Sequence, residues 1–180
     1  MVTFIALLRG INVGSHSRMK MGDLRSLLAE LGYTEVQTYI QSGNLVFRCS
    51  EIEESAISGA IKGKLREKYG FEVLVIVLTP VELKKIVDDN PFLELPERRL
   101  QVSFLAEAPL QVDAVKLEAN DFTPEQFSLK GKAVYLYAPD DYKKKKLSNG
   151  FFEKALNVSA TTRGWRTVKH IHAMVLKTNG

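Results

Sequence analysis

The sequence predicts an α+β protein made of two ferredoxin-like (β-α-β-β-α-β) units in tandem, plus a C-terminal helix. Each unit is expected to pack its helices on one face of an antiparallel sheet. Three observations support this fold class. In the first half, apolar periods alternate in the order strand, helix, strand, strand, helix, strand, and the second half repeats this order less clearly. One hairpin in each half has an aromatic residue, a glycine, a valine and another aromatic residue at identical spacing, which predicts an internal duplication.

The N-terminal half carries the stronger pattern. An unbroken apolar run is typical of a buried strand, leucines at helical spacing are typical of an amphipathic helix, and glycines stand where helices end. The predicted elements are strands at 3–8, 35–40, 45–48 and 73–78, with helices at 20–31 and 52–70. A capping box, Thr79-Pro80-Val81-Glu82, then starts a further helix, which Asn90-Pro91 ends.

A charged segment with two prolines, residues 91–99, is expected to be a linker between the halves. The predicted domains are therefore residues 1–90, with the trailing helix, and residues 100–180. The second domain has predicted strands at 100–105, 126–129, 133–137 and 158–161, and helices at 109–118, 151–156 and 163–176. Trp165 is expected to anchor the last helix in the core.

Composition is that of an ordinary globular protein. The 180 residues are 45% hydrophobic and 26% charged, which argues against long disorder. The single cysteine, Cys49, excludes an intrachain disulfide and cysteine-rich zinc motifs. The N-terminus lacks the pattern of a signal peptide, and the longest apolar run, residues 73–78, is far short of the roughly 20 residues that span a bilayer. We therefore expect a soluble cytoplasmic protein.

Positive charge is concentrated at the C-terminal end. Residues 143–180 contain nine lysine and arginine residues and one acidic residue, Glu153, which is a balance of +8. Such a segment indicates either an anionic partner or a solvated basic surface without a partner, and the sequence leaves both interpretations open.

Three stretches carry a resemblance to a known family. They are Leu7-Leu8-Arg9-Gly10-Ile11-Asn12-Val13-Gly14, Thr38-Tyr39-Ile40-Gln41-Ser42-Gly43-Asn44 and Thr161-Thr162-Arg163-Gly164-Trp165-Arg166-Thr167. Together they resemble a bacterial family known only as a domain of unknown function, DUF1697. The resemblance spans essentially the whole chain. It implies an α+β fold of ferredoxin-like units and brings no established activity.

The placement of the first two stretches predicts a ligand site. In a ferredoxin-like unit the first and third strands are neighbours, so the start of the third strand lies beside the end of the first. Polar side chains from both loops should therefore meet, namely those of Arg9, Asn12, Gln41, Ser42 and Asn44. One guanidinium and several amides suit a phosphate or a carboxylate.

The third stretch offers a second anion-binding element. Thr161 or Thr162 is expected to cap the last helix, beside Arg163, and to leave backbone N–H groups free for an anion. We call residues 9–14, which follow the first strand, the Arg9 loop. We hypothesise that this loop and the start of the last helix form one cleft that holds a small phosphorylated or carboxylated molecule. The alternative is a structural role, in which Thr162 only caps, and Arg9 and Arg163 only stabilise a domain junction.

Known catalytic patterns are not evident, so the sequence does not decide whether the protein is an enzyme. The glycines at 10 and 14 lack the lysine and hydroxyl of a phosphate loop. His16, His170 and His172 have no metal-ligand spacing, and we expect neither a metal nor a cofactor. A non-catalytic nucleic-acid binder using Lys143 to Lys146 remains an alternative, although the strand at 45–48 lacks the aromatic pattern of RNA-recognition modules.

Overall fold

A computed structural model describes residues 1–14, 18–70, 72–139 and 146–179. The strands are β1 Val2–Leu8, β2 Thr34–Tyr39, β3 Asn44–Cys49, β4 Val75–Leu78, β5 Leu100–Leu105, β6 Gln126–Lys130, β7 Ala133–Tyr137 and β8 Ala160–Gly164. The helices are α1 Met21–Glu30, α2 Glu54–Tyr69, α3 Pro80–Asp88, α4 Gln111–Glu118, α5 Asn149–Leu156 and α6 Trp165–Asn179, with a short 3-10 helix at Glu97–Arg99.

The two sheets have the same strand order. The first is β2-β3-β1-β4 and the second is β6-β7-β5-β8, and every neighbouring pair is antiparallel. This is the order that the β-α-β-β-α-β pattern predicts. The α+β class, with two similar four-stranded units in tandem and a C-terminal helix, is therefore confirmed.

The core of the first unit lies between its sheet and the helices α1 and α2. In the central strand β1, every second residue is buried against apolar residues of both helices. These residues are Phe4, Ala6 and Leu8. The edge strand β2 is mostly exposed or half-buried, in keeping with its sequence Thr-Glu-Val-Gln-Thr-Tyr. The polar sequence of β2 thus fits its edge position, whereas the apolar run at 73–78 suggests a central strand and β4 in fact forms the other edge of the sheet.

The second unit repeats this construction with its own core. Its buried residues are Leu105, Leu117, Val134, Leu136, Leu147, Phe152, Leu156, Val158 and Ala160, from both sheet and helices. Four phenylalanine rings also pack together in this unit, those of Phe122, Phe127, Phe151 and Phe152. The ring centroids of Phe122 and Phe151 are 5.3 Å apart, with the rings edge to face.

The chain divides into two compact units, residues 1–85 with 170–180, and residues 86–169. The residues of α6 from 170 onward fall in the first of these units, and the predicted domains 1–90 and 100–180 stay a prediction. In that unit the ring of His170 stacks on Tyr39 at 3.7 Å, and Gln37 Nε2 donates to Thr178 Oγ1 at 3.0 Å. The side chains of Gln37 and Tyr39 in β2 therefore contact α6 at two positions along its length.

The last strand is longer than predicted, and the last helix begins later. Residues 160–164 pair with β5 from Leu105↔Ala160 to Gln101↔Gly164, so Thr161 and Thr162 lie within β8 and cap no helix. Their β-branched side chains suit a strand, and the backbone pairing with β5 decides between the two structures. Trp165 opens α6 and is buried, as predicted.

Cys49 at the end of β3 is expected to be unreactive in the folded protein. It is 1% exposed, and desolvation by burial raises the pKa of its thiol, so little thiolate forms at neutral pH. Labelling with a chromogenic disulfide at pH 8 should be at least about 100-fold slower than in urea. Equal rates in buffer and in urea would contradict this burial.

None of the helices within the described part of the chain is long and apolar enough to cross a membrane.

Candidate functional site

The turn between β2 and β3 lies against the end of β1. The register pairs Leu7 with Asn44, and the Leu8 N–H donates to the Gly43 carbonyl at 2.8 Å. Gly43 has a φ of +73° and is buried. A Cβ there would lie 2.6 Å from Leu8 Cβ and 2.8 Å from Ile11 Cδ1, so only glycine fits without a shift. The predicted approach of the two loops is therefore present in the first unit.

Asn12 connects three segments of this region. Its Nδ2 donates to the carbonyls of Met19 and Gln41, both at 2.8 Å, and its Oδ1 accepts from the Met19 N–H at 2.7 Å. A left-handed backbone, with a φ of 55°, orients the side chain for these bonds. The amide group therefore holds the loops in place, and its hydrogen-bonding atoms are occupied by backbone groups of the protein.

Asn44 has a similar internal role. It is 0% exposed, and its Nδ2 donates to the Tyr39 carbonyl at 3.0 Å and to Ser42 Oγ at 2.9 Å. Of the predicted site residues, Asn12, Ser42 and Asn44 thus shape the two loops. Their proposed contact with a ligand stays a prediction.

Arg9 and Gln41 are the exposed members of the predicted set. The Arg9 N–H donates to the Leu74 carbonyl at 2.9 Å, which continues the pairing of β1 beyond its last residue. Gln41 lies on the wall of an adjacent pocket.

This pocket, which we call the loop pocket, has a volume of about 640 Å³. Its described lining consists of residues 18–21 together with Asn12, Gly14, Asp23 and Gln41. Ligand pockets commonly measure roughly 300–1,000 Å³, so the volume fits a small metabolite.

Two exposed cations lie on the wall of the loop pocket, Arg18 and Lys20. Lys20 is also the N-cap residue of α1, and it makes no side-chain capping bond. The first N–H groups of a helix have no intrahelical acceptors, and the helix dipole adds positive potential there. One carboxylate, that of Asp23 in the first turn, partly offsets this charge.

The prediction from sequence missed Arg18 and Lys20. A signal was available, because cations directly before a helix are unfavourable with the helix dipole, and lysine is a poor N-cap. Two basic residues at such a position indicate that an anion can compensate them. The two cations lie on the wall of the loop pocket beside Gln41, where Asn12 hydrogen-bonds both Met19 and Gln41.

Thr162 and Arg163 serve the packing of the second unit. Thr162 Oγ1 shares a hydrogen bond with Ser103 Oγ at 2.6 Å and donates to Asn149 Oδ1 at 3.0 Å. Arg163 is 8% exposed, and its Nη1 donates to Thr161 Oγ1 at 2.8 Å and to the Thr162 carbonyl at 3.0 Å. Burial lowers the pKa of Arg163 to about 10, so the guanidinium is charged at neutral pH.

Two cations of the basic C-terminal quarter, Arg163 and Lys169, contact other groups of the second unit. Arg163 is buried, and Lys169 Nζ lies 2.6 Å from Glu97 Oε2. The predicted phosphate contacts at Lys143, Lys144 and Lys145 lie outside the described residues, as does His16. Among the residues that the structure describes, no group of three or more His, Cys, Asp or Glu is placed to hold a metal ion.

Comparison with known proteins agrees with the fold. A conserved bacterial protein from Streptococcus pneumoniae has a solved structure that superposes with a TM-score of 0.76, covering 96% of this chain and 97% of that chain. The two sequences are 23% identical, so this likeness shows the fold alone. No curated protein matches this sequence.

A family model provides the classification. Residues 1–135, which include the loop pocket and the β2–β3 turn, match the model described as "Protein of unknown function (DUF1697)". This match covers more than half of the chain and confirms the family that the sequence motifs resemble. The protein is therefore a member of the DUF1697 family.

Proposed function

We propose that the protein binds a small phosphorylated or carboxylated molecule in the loop pocket. The observation that carries this proposal is the position of Arg18 and Lys20 at the N-terminus of α1, on the wall of a pocket of about 640 Å³, where the N-cap residue Lys20 makes no side-chain capping bond. Charged side chains and oriented backbone N–H groups together are a common way to bind anions.

Each part of the site has its own role in this proposal. Arg18 offers a fork of donors that matches two oxygens of a phosphate or carboxylate, and Lys20 adds a point charge. The exposed amide of Gln41 contributes a neutral donor on the same wall. Asn12 acts indirectly, since its hydrogen bonds hold residue 19 and Gln41 in place.

The predicted contribution of Thr162 and Arg163 to the same ligand remains a prediction. The proposal does not need it, because the described lining of the loop pocket comes entirely from the first unit.

We expect Arg18→Gln and Lys20→Gln each to weaken binding of inorganic pyrophosphate or citrate by about tenfold. Isothermal titration calorimetry on the full chain at a fixed salt concentration measures this effect. Lys20→Gln should at the same time raise the free energy of unfolding of the ligand-free protein by about 0.5 kcal/mol, since it removes a cation from the positive end of α1.

Lys62→Gln is the matched control. Lys62 is an exposed lysine of α2 in the same unit and does not line the pocket, so binding should change by less than about twofold. An equal effect of Lys62→Gln and Lys20→Gln would assign the affinity to general surface charge. No binding of either probe by the unmodified chain at millimolar concentration would refute the proposal.

A further inference from the structure

The second unit contains a groove along the outer edge of strand β6. The groove has a volume of about 470 Å³ and is lined by residues 118, 120–123 and 125–129 together with Phe92. All of these residues lie between 86 and 169, so the second unit forms the groove by itself. Consecutive side chains of a strand point to opposite faces of its sheet. A pocket lined by the consecutive residues 126–129 of β6 therefore follows the edge of the strand, and we call it the edge groove.

The hydrogen bonds of the second sheet determine which backbone groups of β6 face this edge. The Leu105 N–H donates to the Lys132 carbonyl at 2.9 Å, and along antiparallel strands hydrogen-bonded pairs alternate with pairs that are not bonded. When this alternation is followed through the register of β7 and β6, the backbone of Ser128 faces β7, whereas the N–H and C=O groups of Phe127 and Leu129 face the outer edge. No hydrogen bond joins these outer groups to another residue in the described ranges.

The opposite edge strand of the same sheet, β8, has its outer backbone groups occupied by side chains. The Ala160 N–H donates to Glu153 Oε1 at 2.9 Å, and the Ala160 carbonyl accepts from Asn149 Nδ2 at 3.0 Å. The Thr162 carbonyl accepts from Arg163 Nη1 at 3.0 Å. These bonds close the edge of β8 against a further strand.

The edge strand β2 of the first sheet is protected in another way. Its register with β3 shifts between Thr34 and Gln37, and Glu35 within this stretch has a left-handed backbone with a φ of 52°. Such a bulge bends an edge and hinders pairing with another chain. The register of β6 with β7, in contrast, runs without a shift from Gln126 to Lys130, and the three residues between them are uncharged. The edge of β6 is therefore suited to accept a strand.

The side chains of the edge groove indicate which kind of strand fits. Phe122, Phe127 and Leu129 are half-buried and pack against the core of the second unit, and the ring centroids of Phe122 and Phe127 are 5.7 Å apart with the rings edge to face. Every second side chain of an added strand would lie beside these groups, so apolar residues at alternate positions are favoured.

Charge on the wall of the groove favours a basic peptide over an acidic one. The carboxylates of Glu118 and Asp121 are exposed there, and the described lining includes no lysine or arginine. The charge of Lys146, which acts on Asp121, offsets part of this negative potential.

We propose that the edge groove binds an extended peptide segment of another protein, which adds to the four-stranded sheet as a fifth strand beside β6. The peptide backbone bonds the outer N–H and C=O groups of Phe127 and Leu129. Its alternate apolar side chains lie beside Phe122, and basic residues flank this stretch.

Calorimetric titration of the full chain with the peptide acetyl-Lys-Thr-Val-Thr-Val-Thr-Lys-amide tests this proposal. Two further peptides carry backbone N-methyl groups, one on both valines and the other on the first two threonines. Only alternate amides of an added strand face its neighbour. One methylated peptide should therefore bind at least about tenfold more weakly than the parent peptide, and the other should change by less than about threefold.

Leu129→Pro is the matching change in the protein. Proline removes the outer N–H of residue 129 and leaves the bonds from β6 to β7 in place, so binding of the parent peptide should weaken by about tenfold or more. Leu129→Val keeps this N–H and is the control, with an expected change below about threefold. Circular dichroism checks that Leu129→Pro folds, and the methylated peptides decide the question if it does not.

Three results would overturn the proposal. They are absence of binding by the parent peptide at millimolar concentration, equal losses for the two methylated peptides, and unchanged binding by a folded Leu129→Pro variant. Analytical ultracentrifugation tests a different occupant of the edge. A dimer of the unmodified chain that Leu129→Pro converts to a monomer would assign the edge of β6 to a second copy of the chain, which also overturns the proposal.

Discussion

Replacement of Gly43 by alanine is expected to lower the free energy of unfolding by about 3 kcal/mol. Two physical effects add at this position. The backbone has a φ of +73°, which costs an L residue with a side chain about 1 kcal/mol. The new methyl group would also stand 2.6 Å from Leu8 Cβ and 2.8 Å from Ile11 Cδ1, both in buried residues. Urea denaturation followed by circular dichroism measures the change.

Gly59→Ala provides the comparison. Gly59 lies on the exposed side of α2, and a Cβ there meets nothing within 4 Å. Alanine should therefore raise the free energy of unfolding by about 0.5–1 kcal/mol, because glycine is a poor residue in a helix. A Gly43→Ala variant as stable as the unmodified protein would show that the β2–β3 turn does not contact the end of β1 as described.

Replacement of Asn12 by alanine should also lower the free energy of unfolding by about 3 kcal/mol. The change leaves three backbone groups without their partners, the Met19 N–H and the carbonyls of Met19 and Gln41. It also places alanine at a φ of 55°. Since these bonds hold the wall of the loop pocket, binding of pyrophosphate or citrate should weaken in the same variant. Hydrogen exchange at the Met19 amide reports the local loss.

Asn157→Ala separates the cost of the left-handed backbone from the cost of the lost hydrogen bonds. Asn157 has a φ of 52° at the end of α5 and is exposed, so alanine there should cost only the backbone term of about 1 kcal/mol. The excess of about 2 kcal/mol for Asn12→Ala measures the hydrogen bonds. Equal losses at both positions would refute the role of the Asn12 side chain, and so would unchanged exchange at Met19.

The sequence predicts secondary structure well wherever neighbouring residues alone determine it. The strands at 100–105 and 133–137 have the bounds that their apolar runs predict. The predicted capping box is present too, since the Glu82 N–H donates to Thr79 Oγ1 at 3.2 Å and the Thr79 N–H donates to Glu82 Oε2 at 2.9 Å. Periodicity and capping need no distant partner, so neighbouring residues are sufficient to predict them.

The candidate site was only partly predictable. The meeting of the Arg9 loop with the β2–β3 turn follows from strand order alone, because Leu7 must pair near Asn44. The strand order does not predict what each side chain in these loops contacts. The ligand contact of Asn12 stays a prediction, and the structure adds a role that the sequence does not indicate, since its amide hydrogen-bonds backbone groups 7 and 29 residues away. The cations at Arg18 and Lys20 gain their position through those same bonds.

The sequence by itself determined the fold class and the order of the elements. The tertiary structure decided three further points. Thr162 lies in a strand because β5 pairs with residues 160–164, the residues from 170 onward belong to the first compact unit, and Arg18 and Lys20 lie on the wall of the loop pocket. Each depends on contacts between residues far apart in the chain, which local propensity and periodicity do not encode.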